Sequence, residues 1–131
     1  MRAPLYQVVT FASHVFHGNP AFVLTLDAAP DPSLMTGAAG LLGADVLAVI
    51  SGLTDSAPSL HFFTPNGPHP GAGHATHASA HVALLRQGNN HDELSFRLPD
   101  GGLRPVRRDV HGIAADWPLM DYEVTGRGDQ I

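Results

Sequence analysis

The chain of 131 residues contains neither cysteine nor lysine. Without cysteine there are no disulfides, thiolate zinc sites, iron-sulfur clusters or sulfur nucleophiles, and the composition suits a reducing compartment. Without lysine there is no Schiff-base amine and no P-loop lysine. Positive charge is scarce: seven arginines face twelve acids, giving a formal charge of −5 with the nine histidines neutral. That balance argues against nucleic acid as a partner. No apolar run is long enough to cross a membrane, and the opening MRAPLYQVVTF lacks the three regions of a signal peptide. The expectation is a cytoplasmic protein with no membrane contact. Repeats and low-complexity tracts are also absent. The length predicts a single domain over residues 1–120, followed by a tail at 121–131 that reads as linker or frayed end.

What is present reads as alternating strands and two helices. Leu5 to Phe11 and Ala21 to Leu26 are β-rich runs separated by a polar loop. Asp31 as N-cap, Pro32 in the first turn, apolar residues from Leu34 to Leu42 at helical spacing and Gly43 as a stop define a helix. Val46 to Ile50 and Leu60 to Phe63 are strands, and the breaker-rich TPNGPHPGAG after them reads as irregular. His74 to Arg86 is a second helix, closed by Gly88, Asn89 and Asn90. Its alanines predict that sheet lies close against it, leaving only a histidine stripe as a polar face. Three strands complete the chain: Glu93 to Leu98, Leu103 to Val110 and Ile113 to Leu119. The pattern is α+β, one helix enclosed by a mixed sheet.

Several residues carry possible chemistry. Gly71-Ala72-Gly73 precede a helix start, where unpaired N–H groups favour an anion such as a carboxylate; the plainer reading is a simple turn into the helix. His74, His77 and His81 share one stripe, and His77 and His81 have the i, i+4 spacing of a metal-binding pair. With no cysteine, no adjacent Glu and no marked third ligand, packed or hydrogen-bonded structural histidines are preferred over a metal. His74 stands apart in the first turn, where the helix dipole favours a neutral imidazole. Asp45 precedes an apolar strand: in an apolar pocket its pKa would rise and suit general acid–base work, while the alternative is a turn aspartate. Arg104, Arg107 and Arg108 read as a solvated face, and no nucleophile elbow is present.

Taken together, Tyr6 to Phe11, Phe16-x-Gly18-Asn19-Pro20-Ala21, Phe63-Thr64-Pro65, Gly73-His74-Ala75-Thr76, Leu103-x-Pro105-Val106 and Asp116-Trp117-Pro118 resemble, in order, the PhzF-like family of phenazine-biosynthesis isomerases, relatives of diaminopimelate epimerase. The resemblance covers residues 5 to 119 and only the family's N-terminal half. It implies a diaminopimelate-epimerase-like half, a central helix wrapped by a mostly antiparallel mixed β-sheet, with the active site in the cleft between two halves. It also implies an acidic proton-transfer residue, usually Glu in an S-E-T context, at Asp45; substrate contacts at Gly73 and His74, with Ala75 and Thr76 completing the motif; and a weaker contact at Asn19. Asp45 is one methylene shorter than Glu and flanked by Ala44 and Val46, Pro68 stands where the family has Glu, and Ala72 falls at a position that is often Cys or Ala. Family members often use no metal or organic cofactor.

The resulting expectation is a cofactor-independent isomerase of secondary metabolism, shifting a proton and double bond or inverting a carbon in a small carboxylate-bearing metabolite. Asp45 would be the acid/base, with His74 as its partner and the Gly73 to Thr76 backbone as the carboxylate cradle. A half-length domain needs an opposite wall, expected from a homodimer or a separately encoded partner half. The rivals are an inactive small-molecule-binding or accessory subunit and a histidine-stripe metalloprotein.

Overall fold

The computed structural model describes residues 3–10, 19–53, 57–71, 73–86, 93–109 and 112–115. The tail at 121–131, the closing turn at Gly88 to Asn90 and the last residues of the final expected strand lie outside them.

Two strands open the chain, β1 (Leu5–Thr10) and β2 (Asn19–Leu26), followed by helix α1 (Pro32–Leu42). The ends of α1 are where local chemistry places them. Asp31 Oδ1 accepts the Ser33 N–H at 3.0 Å, and Pro32 occupies the first turn, where a missing N–H costs nothing. At the other end Gly43 takes φ 66°, a left-handed conformation that favours glycine. Its amide bonds the Gly40 carbonyl at 3.2 Å and the Ala44 amide bonds that of Ala39 at 3.0 Å, a Schellman closure. This turn delivers Ala44 and Asp45 to the start of β3 (Leu47–Ser51).

Strand β4 (Ser59–Thr64) pairs antiparallel with β3 and forms a hairpin with β5 (Gly67–His69). Part of the stretch expected to be irregular is therefore a strand. Pro68 is tolerated because β5 is a short edge strand, exposed at that proline. The Thr64 hydroxyl ties the hairpin, accepting the Asn66 N–H at 3.1 Å and donating to the Gly67 carbonyl at 3.2 Å. Helix α2 (Gly73–His81) widens into a π-helical segment over Val82–Arg86, where a uniform α-helix was expected. The wider turn seats Val82, Ala83 and Leu84, three consecutive residues, in the core. Strands β6 (Glu93–Arg97), β7 (Leu103–Asp109) and β8 (Gly112–Ala115) follow as an antiparallel meander. The β6–β7 turn is fixed by Gly101 at φ 89° and by Asp100 Oδ1 accepting the Gly102 N–H at 2.8 Å.

The eight-stranded sheet runs β1-β2-β3-β4-β6-β7-β8, with β5 off β4. Only β2–β3 and β4–β6 are parallel, and the second of these consists of a single register pair, Ser59 with Arg97. Both terminal strands, β1 and β8, reach α2, so the sheet curls around that helix. β3 is buried on both faces. Leu47 and Val49 meet Met35 and Ala39 of α1, while Ala48 and Ile50 join α2 in the larger core with Leu60, Phe62, Phe96 and Val106. The α+β architecture, a central helix wrapped by a mostly antiparallel mixed sheet, is the one expected. The alanines of α2 account for its closeness: Ala75, Ala78, Ala80 and Ala83 are completely buried. No helix among the described residues is long and apolar enough to cross a membrane.

Candidate active site

Register places two of the expected site residues, Asn19 and Asp45, at one end of the sheet. Thr10 pairs with Asn19 where β1 ends and β2 begins. Phe22 pairs with Leu47, so Pro20 and Asp45, each two residues upstream, leave the same end. Phe63 pairs with Leu47 as β4 arrives there, and the chain then passes through β5 to the first turn of α2. That last segment brings His74 close enough to feel the charge of Asp45.

The two titratable groups have different surroundings. His74 is half-buried, and loss of water lowers its pKa from 6.5, an effect opposed by the negative charge of Asp45. Its imidazole is thereby kept largely neutral near pH 7, as expected, but burial is the principal cause. Asp45 is exposed while Ala44 and Val46 on either side are buried. The apolar pocket expected around it is not formed by the described residues, because the glycine turn leaves Asp45 exposed as its neighbours enter the core.

Gly73 opens α2 and is half-buried, whereas Ala75 and Thr76 are buried. Within the first turn, therefore, Gly73 and His74 keep surface open to a ligand, at the helix end where backbone N–H groups favour an anion. Asn19 begins β2, and its side chain lies outside the described residues, as do Phe16, Gly18, Ala72, Asp116, Trp117 and Pro118.

On the histidine stripe, His77 Nδ1 donates to the Gly73 carbonyl at 3.2 Å, one turn back along the helix, and His81 is half-buried. Among the described residues no three of His, Cys, Asp or Glu are gathered as a metal site. Arg107 is exposed, but Arg104, opposite Phe96, is half-buried, so the hairpin arginines are not one uniformly solvated face. Arg108 has its side chain outside the described residues.

Two histidines escaped the sequence reading. His69 on β5 accepts the Gly71 N–H through Nδ1 at 3.1 Å, a contact made by a strand hidden in Pro- and Gly-rich sequence. His61 on β4 is stacked with Phe63, ring centroids 6.5 Å apart. Its buried Nδ1 has no hydrogen-bond partner among the described residues, and burial lowers its pKa. Pairing with Val49 puts it on the α1 side of the sheet.

Comparison with known proteins gives one consistent answer. The model of the family described as "Phenazine biosynthesis-like protein" matches residues 8–129. The mouse phenazine biosynthesis-like domain-containing protein 2 is 32% identical over 126 residues, covering 91% of this chain and 43% of its own length. An uncharacterized isomerase of Pseudomonas aeruginosa is 34% identical over 131 residues, covering 100% of this chain and 50% of its own length. The crystal structure of a PhzF-family phenazine biosynthesis protein from Enterococcus faecalis superposes with a TM-score of 0.77 at 29% identity, covering 84% of this chain and 42% of that one. The chain thus spans about half the length of the curated relatives it matches.

Proposed function

The chain belongs to the phenazine biosynthesis-like protein family, and from that premise we propose that it forms one side of the active site of a cofactor-independent isomerase. Its substrate is a small carboxylate-bearing metabolite of secondary metabolism, within which a proton and double bond shift or a carbon inverts. The observation that carries this reading is the convergence of Asp45 and His74 at one end of the sheet, beside the amide-bearing first turn of α2.

In the proposed reaction the Asp45 carboxylate removes a proton from carbon, and the resulting charge spreads into the substrate carboxylate. The N–H groups of Gly73 to Thr76 hold that anion. Largely neutral His74 orients the substrate, and the proton held on the Asp45 carboxyl passes to the second carbon, directly or through His74, which takes it up at one nitrogen before giving it on, so that Asp45 ends as the carboxylate. The net change is a relocated proton, with no electron acceptor and no leaving group, so residues of this kind suffice without a cofactor. Asp45 is too exposed in the single chain to do this work, since a carboxylate in water is a weak base toward carbon. An opposite wall is required, and we assign it to a second copy of the chain in a homodimer, with a separately encoded half as the alternative. The cysteine-free composition suits work in the cytoplasm.

The test is solvent deuterium exchange into candidate carboxylates. Wild-type protein should wash deuterium into one substrate carbon, and Asp45→Ala should lose exchange while keeping its circular dichroism spectrum. Unchanged exchange in that variant rejects the role of Asp45. Saturable binding without exchange favours the accessory-subunit reading, to which the exposure of Asp45 lends support. Light scattering at several concentrations should return twice the chain mass, and a monomer that still exchanges deuterium would refute the shared cleft.

A further inference from the structure

Three observations meet in the segment that leads into α2. β5 pairs Phe62 with His69, which sets the half-buried imidazole on the α2 side of the sheet. His69 Nδ1 accepts the Gly71 N–H at 3.1 Å. Gly71 also comes close to Phe62, since a Cβ built on it would stand 3.7 Å from Phe62 Cε2. The residue two before the start of α2 is thus beside an aromatic side chain and hydrogen-bonded to an imidazole. An acceptor nitrogen carries no hydrogen, so this contact requires neutral His69 with its proton on Nε2.

We infer that His69 is a positioning residue: through the Nδ1 to Gly71 hydrogen bond it sets the direction in which the first-turn amides of α2, Gly73 to Thr76, are presented. The inference rests on the proposed carboxylate site at that turn. The three residues between β5 and α2 include Pro70, which lacks an N–H, and Gly71, a residue type that restrains the backbone least. Directional restraint of the Gly71 amide therefore comes from the imidazole. Phe62 supplies contact without direction. Asparagine at position 69 can present Oδ1 where His presents Nδ1, whereas phenylalanine keeps a ring and removes the acceptor.

The experiment is nuclear magnetic resonance on the full chain, with His69→Asn and His69→Phe as variants and succinate as the carboxylate probe. In wild-type protein the imidazole nitrogen spectrum should show His69 protonated on Nε2. In His69→Phe the Gly71 amide should exchange with solvent roughly five- to tenfold faster, the loss of about one neutral hydrogen bond. The amide resonances of Gly73 to Thr76 should shift, and succinate should bind more weakly by a similar factor. In His69→Asn all three readouts should return toward wild type. An Nδ1-protonated His69, or a His69→Phe chain with unmoved Gly73 to Thr76 resonances, overturns the inference. Failure of wild-type protein to bind succinate would instead count against the carboxylate site, while the imidazole spectrum and amide shifts would still decide the role of His69.

Discussion

Adding carbon to the two helices should have opposite consequences, because α2 is enclosed and α1 lies open on one side. Ala78 on α2 has none of its surface exposed, so Ala78→Leu must force three carbons into close-packed core. Overpacking of this kind costs about 1–3 kcal/mol. With an unfolding entropy of about 2.1 cal/mol/K per residue, a chain of this length loses roughly 4 °C of Tm per kcal/mol, so the expected fall is about 4–12 °C. Gly37, inside α1, is exposed, and a Cβ there would meet nothing within 4 Å. Gly37→Ala removes the entropic cost of glycine in a helix, about 0.5–1 kcal/mol, and should raise Tm by roughly 2–4 °C. Thermal unfolding of both variants, followed by circular dichroism in one buffer, is the assay. An Ala78→Leu chain within 1 °C of wild type would mean that the sheet does not close on α2, and a destabilised Gly37→Ala chain would mean that the outer face of α1 is covered.

Removing the charge in Asp45→Asn should lower the pKa of His74 further, since burial then acts unopposed; a histidine proton titration showing no change or a rise would separate the two residues in space. Because burial depresses the folded-state pKa of His61, the unfolded chain binds the proton more readily, and the stability present above pH about 6.5 should be lost as pH falls below it. His61→Phe should flatten that acid dependence in urea titrations, and an unchanged slope would refute the assignment. Asp31→Ala should cost about 1 kcal/mol by loss of the cap on Ser33, measurable as a lower urea midpoint with an unchanged m-value.

Where structure is dictated by neighbours in sequence, it was readable. Both ends of α1 follow from Asp31, Pro32 and Gly43, whose effects act within a turn, and the alanines of α2 announced a helix under close cover. The family motifs singled out Asp45 and His74, and the path from β4 through β5 into α2 is what brings His74 within reach of the charge of Asp45. The unreadable parts depend on distant partners. β5 exists because β4 offers an edge to Gly67–His69, overriding the bias of Pro68. The π-helical segment at Val82–Arg86 has no local signal in the sequence. The exposure of Asp45 was masked by its apolar flanks, although Gly43 carries the turn that produces it. His69 became visible only once β5 had set its imidazole beside Gly71.

The weak join between β4 and β6 gives the sheet two lobes. One backbone pair, Ser59 with Arg97, carries the ladder across it among the described residues. The β6–β8 meander is otherwise held by Leu94, Phe96 and Val106 packing into the core around α2. Side-chain packing fixes direction less strictly than a continuous ladder, so α2, in contact with both β1 and β8, is the element that ties the two parts together. Its first turn is also where we propose that the carboxylate binds. A carboxylate held there would therefore sit on the element shared by both parts of the sheet.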